Sequence, residues 1–326
     1  RETAREYAGR SFIPVRAGDD NGVSSGRNRP HHDTLMTIAR PVHQLFAVEA
    51  GVAVPLPVPE GCVDPSQVHD VLPLGVYEAA RTFDHDQYVG LREHLDRMER
   101  SVDLAGLGGA FDRGGLCHAL DTVARAFPGA DAKVRFDHLA GPARALGSGA
   151  HTVIQATELA LPTRSAYEEG VACQLSRLRR AWPEVKEARW VVERRSAEDG
   201  DPENFESLLV DADGRLLEGL MSNFFWIRDG VLHTAPVAGV LPGITRGFVL
   251  QLAGELGLST REEHARADTL SDLGEAFLTT SVRSVVPVVR IAGQPLGDGR
   301  PGPLTRRMME AYAAFCSRSA ALAVDA

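Results

Sequence analysis

Lysine is almost absent from this chain of 326 residues: among 35 basic residues only positions 133 and 186 are lysine, and arginine takes the rest. Arginine substitutes well for lysine as a surface charge. Its guanidinium stays protonated and is a poor nucleophile, so it cannot form a Schiff base with a carbonyl. Lys133 and Lys186 therefore stand either as ordinary surface charges or as candidates for covalent chemistry. Cysteine is scarce as well. Cys62, Cys117, Cys173 and Cys316 are scattered without a Cys-x-x-Cys pair, which argues against a zinc site and a disulfide framework and fits a reducing cytoplasm. No metal is expected, because the adjacent His31 and His32 lack the further ligands that a site requires. No apolar run approaches the roughly 18 residues of a membrane span, and the N-terminal stretch lacks the apolar core of a secretory signal. Arg1 in first place is read as a processed or truncated start. A basic surplus is missing too. The net charge of −9 argues against nucleic-acid and for small-molecule partners.

What the chain does have is apolar residues, 44% of the total, enough for two sizeable cores at this length. Residues 1–45 mix Arg, Gly, Asp, Asn, Ser and His without periodicity and read as a flexible extension. Short strands are expected at 45–48 and 51–54, then a Pro-rich connector, then a strand over 75–83. Apolar residues at three-to-four spacing predict a helix over 91–107 with one buried stripe. A second helix is expected over 115–127, then strands at 133–139 and 151–155. Gly106-Leu107-Gly108-Gly109 follows a helix and lacks the third glycine of a dinucleotide fingerprint, so it reads as a helix terminator. Residues 157–166 form the best linker, which divides a small domain, 46–156, from a larger one, 167–326.

The second half is organised around residues 214–246. Asp213-Gly214 and Asp229-Gly230 each lie between apolar runs, and Asp-Gly tolerates the positive φ of a type I′ turn, so two consecutive β-hairpins are expected. Ile244, Phe248, Leu252 and Leu256 then recur every four positions, which predicts a helix opened by Leu241-Pro242-Gly243. Amides at a helix start have no intrahelical partner and the macrodipole is positive there, so Gly243-Ile244-Thr245 is a candidate phosphate seat. Beyond it a short strand at 261–264, a helical turn at 270–274, a strand at 276–281 continued by 285–289, and a last helix from 304 are expected. Strands and helices mix without a regular βαβ repeat, which predicts an α+β fold of two domains.

Five ordered stretches carry a resemblance. They are Pro183-Glu184-Val185-Lys186; Leu208-Leu209-Val210-Asp211 running on to Glu218-Gly219 and Ser222-Asn223-Phe224; Asp229-Gly230-Val231-Leu232; Leu241-Pro242-Gly243-Ile244-Thr245-Arg246; and Thr280-Ser281-Val282-Arg283. Upstream they extend to Gly75-Val76-Tyr77-Glu78 and to Arg92 through Arg97. Together they resemble the class IV, or fold-type IV, pyridoxal-phosphate enzymes: branched-chain and D-amino acid aminotransferases, (R)-amine transaminases and aminodeoxychorismate lyases.

The resemblance implies a small α/β domain followed by a larger β-rich pseudobarrel domain. It also implies pyridoxal 5′-phosphate as cofactor and ping-pong transfer of an amino group from an amino acid or amine to a keto acid. The alternatives are elimination in the manner of aminodeoxychorismate lyase, or a non-catalytic degenerate homologue. Relatives are commonly homodimers. Lys186 would form the Schiff base and move the proton, and Glu218, otherwise a solvated hairpin acid, would keep the ring nitrogen charged. Arg97, the amides and hydroxyl of Ile244 and Thr245, and Ser222 or Ser281 would hold the phosphate, with Leu241 against the ring. Read bare, Arg97 is a surface partner of Glu93 or Glu99, and His94 either bonds a backbone carbonyl or supports Arg97. Tyr77, Arg135, Val282 and Arg283 would face the substrate; without the resemblance Tyr77 is a core residue and Arg135 a strand-surface charge. Two positions depart from the pattern. Trp190 stands where many relatives carry tyrosine, and Arg283 where branched-chain enzymes carry a small residue, so Arg283 is expected to narrow the pocket or recruit an acid.

Overall fold

The computed structural model describes residues 42–59, 61–62, 65–198 and 203–322, and from residue 42 on these form one compact unit. The expected flexible extension, His31 and His32 included, lies outside the described residues up to position 41, and a strand has already begun at His43.

The first sheet has six strands: β1 (His43–Glu49), β2 (Val52–Leu56), β3 (Gly75–Phe83), β4 (Gln87–Tyr88), β5 (Ala132–Leu139) and β6 (Thr152–Glu158). Their order is β2-β1-β6-β5-β3-β4, and each neighbouring pair is antiparallel. Helices α1 (Leu91–Ala105) and α2 (Arg113–Ala126) cover one face. Leu95, Met98, Leu116 and Leu120 from the helices meet Val76, Ala80, Val134 and Phe136 from the sheet. Because side chains alternate along a strand, the intervening Tyr77, Ala79, Lys133 and Arg135 are turned to the opposite face. The register sets Ala79 across from Arg135 and Arg81 across from Lys133.

The second sheet has nine strands: β7 (Val171–Ser176), β8 (Glu206–Val210), β9 (Leu216–Gly219), β10 (Asn223–Arg228), β11 (Val231–Thr234), β12 (Thr260–Glu262), β13 (Glu275–Thr280), β14 (Ser284–Ile291) and β15 (Gln294–Pro295). β10-β13-β14-β7-β8-β9 closes into a ring through the pairing of Asn223 with Glu218. This is the expected pseudobarrel. Phe224, Trp226, Leu278, Val286 and Leu208 fill one side of it. The alternate residues Phe225, Ile227 and Phe277 pack against Val249 and Leu252 of α5 (Ile244–Glu255) and Met308 and Tyr312 of α6 (Pro303–Leu322).

Both expected hairpins are present as antiparallel pairs, β8 with β9 and β10 with β11. Only the second has positive φ at both Asp229 and Gly230. At the first, Gly214 alone is left-handed, and the longer turn is held by Asp211 accepting from the amides of Asp213 and Arg215, each at 2.9 Å. The stretch 285–289 does not continue the strand before it. The chain reverses at 281–283, and β14 returns antiparallel to β13. In the expected linker region, β6 runs to Glu158 and a short helix, α3 (Arg164–Glu168), precedes β7. Helix α4 (Arg189–Glu198) was not expected: charged Arg189, Glu193, Arg194 and Arg195 break any apolar stripe. Among the described residues no helix is long and apolar enough to cross a membrane.

Candidate active site

Lys186 follows the barrel strand β7 but is docked on the first sheet. Its carbonyl accepts from the Tyr77 amide at 2.9 Å, and Ala188 donates to the Gly75 carbonyl at 2.8 Å. The ammonium lies 4.8 Å over the Tyr77 ring. Burial lowers its pKa; Tyr77 and Glu78 work against that, while Arg97 and Arg180 add to it. The direction of the shift eases loss of the proton, which a nucleophilic amine requires.

Arg97 is pinned at the buried start of the cleft. Its Nε donates to Glu78 Oε1 at 2.7 Å, Nη2 to Glu78 Oε2 at 2.6 Å, and Nη1 to the Pro242 carbonyl at 2.9 Å. Glu93 and Glu99, its expected partners, are displaced by an acid from β3. Among the described residues His94 bonds no backbone carbonyl: its Nδ1 lies 2.8 Å from Glu78 Oε2, so it braces the acid that braces Arg97. Burial pushes the Glu78 carboxyl up, but the Arg97 charge and hydrogen bonds, helped by His94, hold it down at about 2. Helix α1 reaches this place because Gly90 ahead of it has φ 73, and a Cβ there would press on Phe248 and Ile244 of α5. Helix α5 begins without a side-chain cap, leaving its first amides open. Thr245 Oγ1 lies 3.5 Å from Ser281 Oγ. The Tyr312 hydroxyl lies 3.4 Å from the same Oγ1, and Ser222 donates instead to Glu206 Oε1 at 2.9 Å, which leaves Ser281 as the serine beside Thr245.

Glu218 is 3% exposed. Its Oε1 accepts from Arg180 Nε at 3.0 Å, and its Oε2 from the Leu241 amide at 3.0 Å and Asn223 Nδ2 at 3.3 Å. Burial raises this carboxyl's pKa, against the opposing pull of Arg180, the Leu241 amide and Lys186.

The remaining wall comes from β3, β5 and the turn after β13. Asp137 accepts from Arg135 Nε at 2.9 Å and Nη2 at 2.6 Å, and the guanidinium lies 4.0 Å over the Tyr77 ring. Burial pushes the Tyr77 phenol up, but Lys186, Arg194, Arg135 and Arg180 together bring it down to about 7. Arg283 donates its amide to Thr280 Oγ1 at 2.8 Å, and Ser284 after it holds a positive φ of 61, backbone strain of the kind that gathers at functional sites. Its Nη1 sits 3.7 Å from Glu206 Oε2, so an acid does face this cation.

Most of these groups open on one cleft, about 930 Å³ with the open solvent at its mouth counted in. Lys186, Arg97, Glu218, Ser222, Leu241, Ile244, Thr245, Ser281, Tyr77, Arg135, Val282 and Arg283 all line it. The family model described as Amino-transferase class IV matches residues 75–291. This chain belongs to the class IV aminotransferases. It is 31% identical to the D-alanine aminotransferase of Bacillus licheniformis over 73% of this chain and 86% of that one. It is 28% identical to the branched-chain-amino-acid aminotransferase of Pseudomonas aeruginosa over 73% and 83%. The branched-chain aminotransferase of the thermophilic archaeon Thermoproteus uzoniensis, solved with norvaline, has the same fold: TM-score 0.67, 24% identity, 85% of this chain and 95% of that one.

Class IV aminotransferases depend on pyridoxal 5′-phosphate, and the donors of this cleft suit that group. One deprotonatable amine, one buried carboxylate, and an arginine beside open helix amides answer an aldehyde, a ring nitrogen and a phosphate in turn. Gly243 keeps the approach clear, since a Cβ there would collide with Asn223 Oδ1. The expected departure at Trp190 sits behind the cleft wall. Trp190 is fully buried, donates to the Leu220 carbonyl at 2.8 Å, and carries the Arg180 guanidinium 4.7 Å over its ring. Arg180 and Arg194 are lining residues outside the motifs, and Asn223 lies within one of them but was given no role there. The scarcity of lysine had marked Lys133, which also reaches the cleft.

Proposed function

We propose that this class IV chain is a pyridoxal-phosphate aminotransferase that moves an amino group between an amino acid or amine and a keto acid in a ping-pong cycle. The observation that carries the reading is Lys186 and Glu218 opening on one cleft, with Arg97 and the uncapped start of α5 in its lining. The bound cofactor supplies a carbonyl for the amine and a ring that withdraws electrons from the substrate Cα. Lys186 would hold the cofactor through its amine and, when free, would take and return the proton at the substrate Cα. Glu218 would favour the protonated form of the ring nitrogen. Arg97, the Ile244 and Thr245 amides, the Thr245 hydroxyl and Ser281 would hold the phosphate, with Leu241 as an apolar face for the ring. Tyr77, Arg135, Val282 and Arg283 orient the substrate. A cytoplasmic homodimer belongs to this reading.

Elimination is the competing chemistry, and Ala79 bears on it: this cleft residue stands where lyases of the aminodeoxychorismate type often place threonine. The test is spectroscopic. Reconstituted protein mixed with amino donors is expected to convert its cofactor absorbance to the amine form and to recover on addition of a keto acid. Pyruvate release from aminodeoxychorismate without such recovery marks a lyase, and no response to any donor marks a degenerate homologue.

A further inference from the structure

Helix α6 carries none of the stretches on which the family resemblance rests, yet one of its side chains reaches the hydroxyls at the start of α5. Tyr312 is buried in one cluster with Val249 and Leu252 of α5, and Phe315 beside it lies 4.7 Å from the Phe248 ring. Its ring is thus fixed to the helix whose first turn is the proposed phosphate seat. The Tyr312 hydroxyl lies 3.4 Å from Thr245 Oγ1, which in turn lies 3.5 Å from Ser281 Oγ. One helical turn beyond Tyr312 the buried Cys316 thiol interacts with the phenol. The order is Cys316, Tyr312, Thr245, Ser281, and only the last two line the cleft. This row has a direction. A hydroxyl has one proton to give and room to accept two. Thr245 can give its proton to a ligand oxygen only if Tyr312 is the donor of their pair. Burial pushes the phenol's pKa well up, with Cys316 adding to the shift and Thr245 working against it. Burial also pushes the Cys316 thiol up to about 11. Both groups keep their protons at neutral pH, and sulfur is a weak acceptor, so the phenol proton is left for Thr245.

We propose that Tyr312 is a positioning residue for the cofactor phosphate: by donating to Thr245 Oγ1 it turns the threonine proton toward the phosphate oxygens. This rests on the assignment of Thr245 to the phosphate in the aminotransferase reading. Tyr312 stays behind the cleft wall and acts through Thr245 alone.

Titration of cofactor-free protein with pyridoxal 5′-phosphate and with pyridoxal, which lacks the phosphate, tests this without turnover; absorbance follows both. Tyr312→Phe keeps the ring and removes the donor. It is expected to weaken pyridoxal 5′-phosphate by at least about twofold and to leave pyridoxal unchanged. That is the low end of a hydrogen bond's net contribution, as suits a contact of 3.4 Å, longer than the roughly 2.7–2.8 Å usual between hydroxyls. Thr245→Val is expected to cost more, and Tyr312→Phe to add nothing in that background, because the phenol then has no hydroxyl to serve. Thr245→Ser keeps the hydroxyl and is expected to keep the sensitivity to Tyr312→Phe. Unchanged affinity for pyridoxal 5′-phosphate in Tyr312→Phe overturns the proposal. Equal weakening of both ligands, or an effect that persists beside Thr245→Val, overturns it too, since the phenol then acts by packing alone. If Thr245→Val leaves the ratio of the two affinities unchanged, the assignment of Thr245 to the phosphate falls and Tyr312 falls with it, while the role of Lys186 stands. If neither ligand gives a Lys186-dependent absorbance, the aminotransferase reading itself falls.

Discussion

The Lys186 ammonium lies 4.8 Å over the ring of Tyr77, and the backbones of the same two residues are joined by a 2.9 Å hydrogen bond from the Tyr77 amide to the Lys186 carbonyl. The amine proposed to react thus belongs in sequence to the barrel and in space to the other sheet. Its position depends on β3 keeping its place.

Lys186→Ala is expected to abolish the borohydride-reducible absorbance of protein mixed with cofactor. Transamination should fall by at least about 10²–10⁴-fold, the usual contribution of a positioned proton-transfer group. Survival of that absorbance would transfer the assignment to Lys133.

Tyr77 offers a pH signature. Cations hold its phenol at about 7 rather than 10, so in cofactor-free protein one tyrosine should ionise near neutrality, read by near-UV tyrosinate absorbance and lost in Tyr77→Phe. The folded state binds fewer protons than the unfolded chain between pH 7 and 10, so Tyr77 adds stability as pH rises through that window.

Glu78 acts at the acid end. Its carboxyl is depressed from 4.5 to about 2, so its contribution is complete above 4.5 and is lost as pH falls toward 2. Wild-type protein should therefore lose melting temperature more steeply than Glu78→Gln over that span. At neutral pH the variant leaves Arg97 buried without its anion. A cost of about 3–5 kcal/mol is expected in chemical denaturation, together with weaker retention of cofactor.

Gly243→Ala tests the cradle. The new methyl meets Asn223 Oδ1, and Asn223 cannot turn aside freely because its Nδ2 bonds the Leu241 carbonyl at 2.8 Å and Glu218 at 3.3 Å. Overpacking of this sort costs about 1–3 kcal/mol. Cofactor dissociation, followed by fluorescence on dilution, should quicken; an unchanged rate would show that Asn223 is not a support of Glu218 in its proposed role.

Much of this protein was legible before any coordinates. The strand-like runs at 75–83 and 133–139, the four-residue apolar spacing after Gly243 and the Asp-Gly turns are local signals, and local backbone preference decides such elements. Scarcity and motif together singled out Lys186. Pairings between distant residues were hidden. Arg97 meets Glu78 across the helix–sheet interface rather than Glu93 or Glu99 on its own helix, and Arg180 lies on Glu218. Arg194 enters from a helix that shows no apolar stripe to announce it. Barrel closure was implied by the family resemblance alone and not by periodicity, because it rests on one register, Asn223 against Glu218. Periodicity reports which face of an element is apolar, but not which other element that face will meet. Charges separated by dozens of residues acquire partners only after packing has excluded water and chosen among them.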